Sequence, residues 1–175
     1  MRTFTVILLS SLLAVPLHGQ KQKREPLTDK QQDQIAEAGV DPVARVDLYV
    51  KFLNERADTI KGFATRGHSS ARAYRLDNEL QDFTALMDEL GSNLDVYSDR
   101  KADIRKSLKG LNESIQRWQT VLQDLRSEPG FALSRQDAIE SSNDLAQQAK
   151  QLAADQTAYF DLHKDEKGQD RHEPK

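Results

Sequence analysis

The chain contains no cysteine, 5 prolines, 8 glycines, 2 methionines and only 6% aromatic residues among its 175 positions. Each shortage closes off a class of protein. Without cysteine there is no disulfide framework, no thiolate metal site, no CxxCH haem attachment and no lipid-modified cysteine. Sparse glycine and proline argue against an all-β fold, whose many short strands each need a turn. No apolar run reaches the roughly 20 residues that cross a bilayer. The fold has to be held by packing alone.

What remains is rich in alanine, leucine, glutamine, lysine and aspartate, with 30% charged residues, 25 basic and 28 acidic. That composition predicts an all-α protein of long solvated helices. The near balance of charge offers no field for a polyanion, so nucleic acid is not an expected partner.

The chain opens with one cation at Arg2, an apolar run over 4–15, and then Pro16, Leu17, His18 and Gly19. This three-part layout predicts a signal peptide over 1–19, a mature chain from Gln20 with no transmembrane segment, and an extracytoplasmic location, periplasmic or secreted. Residues 20–40 read as a flexible basic leader followed by a short helix. Thr28 and Gln31 form a capping box there and Gly39 supplies the stop. Residues 41–166 carry the helical domain, and 167–175 read as a disordered tail.

Within the domain, Asp41 and Pro42 start a helix whose apolar stripe is Val43, Val46, Val50, Leu53, Ala57, Ile60 and Ala64. Gly67 ends it and Ser69 or Ser70 caps the next. From Ala73 a three-four alternation runs through Leu76, Leu80, Phe83, Met87, Leu90, Leu94, Tyr97, Lys101, Ile104, Leu108, Leu111, Ile115, Trp118, Leu122 and Leu125. This heptad predicts an antiparallel bundle of three to four long helices with coiled-coil-like packing, or a long helical hairpin. Gly91, Ser92 and Asn93 leave two readings. The unbroken phase favours one helix of about 57 residues and about 85 Å, whereas three poor helix formers in a row favour a turn, and the balance tips to the turn. Glu128, Pro129 and Gly130 make a second turn, and Ser134 is the expected cap of the last helix, with Ile139, Leu145, Ala149, Leu152, Ala153, Tyr159 and Leu162 on one side.

Formal charge alternates along the segments: five basic and three acidic over 42–66, two and seven over 70–99, seven and three over 100–126, four and seven over 134–167. Alternating signs predict that consecutive helices lie side by side.

The motifs of helical catalysts are missing. There is no HExxH and no pair of Glu-x-x-His motifs, and the mature histidines, His68, His163 and His172, sit in a loop, at a helix end and in the tail. Met87 with His163 is the one conceivable haem pair, but Met87 belongs to the seam as core filler. Neither catalysis nor a cofactor or metal is expected. The residues that stand out are Arg100, Lys101, Arg105, Lys106 and Lys109, five cations in ten positions. Four of them fall opposite Ile104, Leu108 and Leu111, which makes either a solvated face beside an acidic neighbour or a candidate anion or partner patch. Lys101 reads as a polar interruption of the seam that snorkels or sets register. Tyr49, Phe52 and Phe63 lie off their helix's stripe, so they either widen the buried face or present an aromatic edge to a partner.

Over Leu27, Thr28, Asp29, Lys30 and Gln31 the chain resembles the LTxxQ motif of small periplasmic helical chaperones that respond to envelope stress. That resemblance implies an exported, cofactor-free helical protein. Together these features point to a non-enzymatic interaction protein of the cell envelope, adaptor or chaperone-like, whose partner is a protein or envelope component. The alternatives are a ligand- or cofactor-binding bundle and a structural spacer.

Overall fold

The computed structural model describes residues 25–163. The expected signal peptide, most of the leader, and the tail with His172 lie outside the described residues. Among those described there are five α-helices and no strand: α1 Asp29–Glu37, α2 Pro42–Ala64, α3 Ser70–Asp99, α4 Arg105–Asp124 and α5 Ala132–Leu162. None is long and apolar enough to cross a membrane.

Three helix starts follow from local chemistry. The Thr28 hydroxyl accepts from the Gln31 backbone N–H, and the Gln31 side chain accepts from that of Thr28, closing the capping box. Asp41 accepts from the N–H groups of Val43 and Ala44 with Pro42 behind it, and Ser69 accepts from that of Arg72. Gly39 ends α1 at φ 59°, where a side chain would be strained. By contrast, α4 and α5 begin at Ile104 and Phe131 with no side-chain cap. Ser134, expected as the cap of α5, is buried inside the helix and donates to Asp77 of α3.

The chain does not turn at Gly91. There α3 is continuous, and the Ser92 and Asn93 side chains fold back onto the carbonyls of Asp88 and Glu89 at 2.9 and 2.8 Å. Gly91 serves a close approach. A Cβ at this position would sit 3.0 Å from Gln148 Oε1 of α5, whose Nε2 donates to the Gly91 carbonyl at 2.9 Å and to Asp95 at 2.6 Å. Nor is there one helix of about 57 residues, because the seam breaks at 100–104. Lys101 stands there at φ 55°, exposed in the loop, and neither fills nor registers the seam.

The four long helices pack lengthwise in a ring in which α2 touches α3 and α4, and α5 touches α3 and α4. Thus α3 and α4, joined by a five-residue loop, lie across the diagonal from each other. Pairs such as Val43 with Ser107 and Asn54 with Trp118 show that α2 and α4 run parallel, and Asp77 with Ser134 and Asp88 with Ser141 show the same for α3 and α5. The expected side-by-side pairing of opposite charge therefore holds for α2 with α3 and for α4 with α5, but fails for α3 with α4. Two acidic helices become neighbours instead. Their contact is built from neutral donors on α5, Ser134, Ser141 and Gln148, given to Asp77, Asp88 and Asp95 of α3, which avoids opposing carboxylates.

Every seam residue from Leu76 to Leu125 is buried except Lys101, and Leu86 joins them. Trp118 lies at the centre, edge-on to Phe83 at 5.8 Å, with its indole N–H donating to Asn54 at 2.8 Å. Tyr49 and Phe52 are each 1% exposed, so no aromatic edge faces solvent at those positions and the buried stripe of α2 is simply wider than its spacing suggests. The Tyr49 hydroxyl donates to Glu89 at 2.7 Å. Burial, reinforced by that carboxylate, raises its pKa well above the usual phenol range.

Candidate functional site

The five cations singled out by spacing are all exposed, but they are divided between the 100–104 loop and the first turns of α4. Arg100 is the C-cap residue of α3 and Lys101 follows in the loop, with its Nζ 5.7 Å from the ring of Tyr159. Arg105 begins α4 and grips Asp103 with two bonds, Nε at 2.9 Å and Nη2 at 2.8 Å, while its guanidinium lies 4.6 Å from the Phe160 ring. The hydrogen bond to Asp103 raises the Arg105 pKa further. That carboxylate also offsets part of the charge Arg105 offers outward. Lys106 turns toward α2, where it lines a groove of about 420 Å³ with Lys51, Gly110, Asp47, Glu55 and Asp58. The four from Lys101 to Lys109 are not on one helical face, since Lys101 precedes α4.

A second feature lies on the face shared by α3 and α5. Helical register places Asp88, Asp95 and Asp99 of α3 beside Asp137, Glu140, Asp144 and Asp155 of α5 on this face, and all seven are exposed. The cations of these two helices are elsewhere. Arg72 is buried against the end of α2, Arg135 reaches back to the Gln123 carbonyl at the end of α4, and register turns Arg75 toward α2 and Lys150 toward α4. A groove of about 330 Å³ runs along the middle, walled by Asp88, Asp95, Asp144 and Gln148 over a floor of Met87, Gly91 and Leu145. Large exposed apolar side chains stand well beyond it, toward the ends of the two helices: Tyr74 at 68% and Leu133 at 72% exposure near the starts of α3 and α5, and Leu162 at 81% in the last turn of α5. Val96, 43% exposed, stands on the outer crest of α3.

Sequence spacing did not reveal this face, because its two halves are about 50 residues apart in the chain. The only signal was the like sign of 70–99 and 134–167, and charge alternation speaks only of consecutive helices. The two described histidines lie apart. His68 is exposed with Nδ1 3.2 Å from Glu128, and His163 caps α5 and stacks on Tyr159 at 4.4 Å, far along the array from Met87 in mid-α3. Among the described residues no group of three or more His, Asp or Glu side chains is placed to hold a metal. No protein-family model matches the chain, and neither a curated protein nor a solved structure matches it.

Proposed function

We propose that this protein is an exported, non-enzymatic interaction protein of the cell envelope, adaptor or chaperone-like, whose four long helices form a heptad-packed bundle that presents the α3/α5 face to a partner. The observation that carries this reading is the coincidence, on one face, of seven exposed carboxylates and three exposed large apolar side chains, with Lys101 of the 100–104 loop, over Tyr159, as a cation at one end. Scattered exposed leucines are ordinary on a protein surface. Their placement along the same face as a carboxylate-walled groove is what a recognition surface needs, apolar anchors for affinity and charge for steering. The 100–109 cations form a lesser surface at the end of the array, drawing anions by field more than by fitted geometry.

Export is tested by fractionation of the producing cell with N-terminal sequencing, where the mature chain should begin near Gln20 in the extracytoplasmic fraction. Full-length protein confined to the cytosol would defeat the envelope assignment. Absorbance spectra and metal analysis of the purified mature chain test the non-enzymatic part, and a stoichiometric chromophore or metal would replace it with a cofactor-binding bundle.

A further inference from the structure

The acidic face has enough definition to name the chemistry of what covers it. We infer that the groove between α3 and α5 docks a basic amphipathic helix supplied by a different protein. This rests on the interaction reading above and specifies its partner.

Three observations select that occupant. First, the carboxylates form two rows. Asp88 and Asp95 on α3, and Asp137 and Asp144 on α5, are each seven residues apart, about 10.5 Å at 1.5 Å per residue. A helix whose cations recur every two turns on both flanks of an apolar stripe meets both rows at once. Second, exposed apolar anchors stand beyond the groove along the same face, Leu133 eight residues before Ser141 and Leu162 fourteen after Gln148. They are 29 residues apart on α5, about 43 Å, so a helix on the order of 25 to 30 residues that passes over the groove touches both. Third, the carboxylates are too dispersed for any three to converge on one metal ion. Their charge is matched by cations spread along a partner.

A second copy of this chain is the natural rival, since it carries its own cations at Arg100, Lys101, Lys106 and Lys109. It fits poorly. The outer face of α4 presents Arg105, Lys109, Glu113, Gln116 and Arg117 with no apolar residue among them, so it would leave Tyr74, Leu133 and Leu162 uncovered.

The test uses the mature chain and three labelled 28-residue peptides, read by fluorescence anisotropy. One carries heptads of leucine and lysine, one replaces every lysine by glutamate, and one keeps the lysines but replaces every leucine by serine. The lysine-leucine peptide should bind saturably at one per chain. The glutamate peptide should not bind, and the serine peptide should bind at least about tenfold more weakly. Raising salt from 50 to 300 mM should weaken the lysine-leucine complex about tenfold or more. Two variants localise the site. Asp137→Asn, Glu140→Gln and Asp144→Asn together should weaken binding about tenfold, whereas neutralising three exposed carboxylates of α1, Asp29→Asn, Asp33→Asn and Glu37→Gln, should change it less than twofold. Tyr74→Ala with Leu133→Ala should weaken it about fivefold. All these positions are exposed, so unchanged melting curves are expected and show that folding is not the cause.

Equal losses from the α1 and α5 neutralisations would mean non-specific charge attraction and overturn the proposal. So would equal binding of the serine peptide. Self-association of the mature chain in sedimentation, abolished by the α5 triple variant, would assign the face to a second copy instead. Failure of peptide binding with the protein still found in the extracytoplasmic fraction would remove this occupant while leaving the envelope assignment to stand on another surface.

Discussion

The two ends of the helical array solve the same problem with different chemistry. At the end made by the loops 65–69 and 125–131, a buried arginine does the work. Arg72, 7% exposed, donates Nε to the Phe63 carbonyl at 2.8 Å and Nη1 to Glu128 at 2.7 Å, with its guanidinium 5.9 Å from the Phe131 ring. One side chain thereby ties the end of α2 to the loop before α5. At the other end the loop 100–104 is held by a neutral amide. Gln156, 5% exposed, donates to the Ala102 carbonyl at 2.7 Å and accepts from the Ile104 N–H at 3.1 Å, while Asp103 accepts from the Arg105 N–H at 3.3 Å, so the start of α4 is held by both. Both devices satisfy backbone groups that a turn leaves without partners. Only the charged one responds to pH and loses more when half of it is removed, because a buried charge without its partner is costlier than a buried amide.

The largest expected effect tests that asymmetry. Arg72→Ala should lower stability by about 3 kcal/mol, since it strips bonds from a buried carbonyl and removes the partner of Glu128. Urea unfolding monitored by circular dichroism measures it, and a loss under about 1 kcal/mol would mean that Phe131 packing holds this end. Gln156→Leu should lose about 2 kcal/mol by leaving the Ile104 N–H and Ala102 carbonyl unpaired. Its loss should be the same at 50 mM and 500 mM salt. A strong salt dependence would erase the contrast between the ends.

Smaller effects refine it. Lys101 holds a left-handed conformation that glycine adopts without strain, so Lys101→Gly should stabilise by about 0.5 to 1 kcal/mol in the same unfolding measurement. Destabilisation would mean that the contact of Lys101 with the Tyr159 ring outweighs the backbone gain. The smallest effect belongs to Glu128. The Arg72 hydrogen bond, aided by His68 and opposed by desolvation, holds its pKa below the ordinary 4.5. A carboxylate depressed in the folded state stabilises above its unfolded pKa and loses that contribution as pH falls through the folded value. Glu128→Gln should therefore be less stable than the parent at pH 7, and the gap should close as pH drops below 4.5. Melting temperatures at pH 7 and pH 3 read the difference, and a gap that widens in acid would contradict the assignment.

Much of the fold is legible in the letters. The caps at Thr28, Asp41 and Ser69 act within three residues, and the seam positions are buried because a three-four repeat on a helix has one apolar side whatever it packs against. The misreadings share a cause. Gly91 looked like a stop because three poor helix formers adjoin it, yet the deciding contact is Gln148, 57 residues away. Ser134 looked like a cap and is a cross-helix donor. At Tyr49 and Phe52 the spacing allows a wider buried stripe or an exposed aromatic edge, and packing against α3 and α4 selects the wider stripe. At the candidate site the basic run at 100–109 was plain to see but is partly neutralised by Asp103, while the acidic face was invisible because no single segment contains it.

The sequence by itself determined that this chain is helical, where three of its helices begin, and which side of each long helix is apolar, since these depend on residues within a turn or two of one another. Which helices become neighbours was decided only by tertiary structure. Charge alternation favours α3 beside α4, but a surface pair contributes no more than about 1 kcal/mol. Burying one large apolar side chain contributes about 1.5 to 3 kcal/mol. Packing of residues such as Trp118, Phe83 and Leu111 therefore outweighs the sign rule, sends α4 across the diagonal, and sets acidic α5 next to acidic α3. The acidic face is a product of that choice.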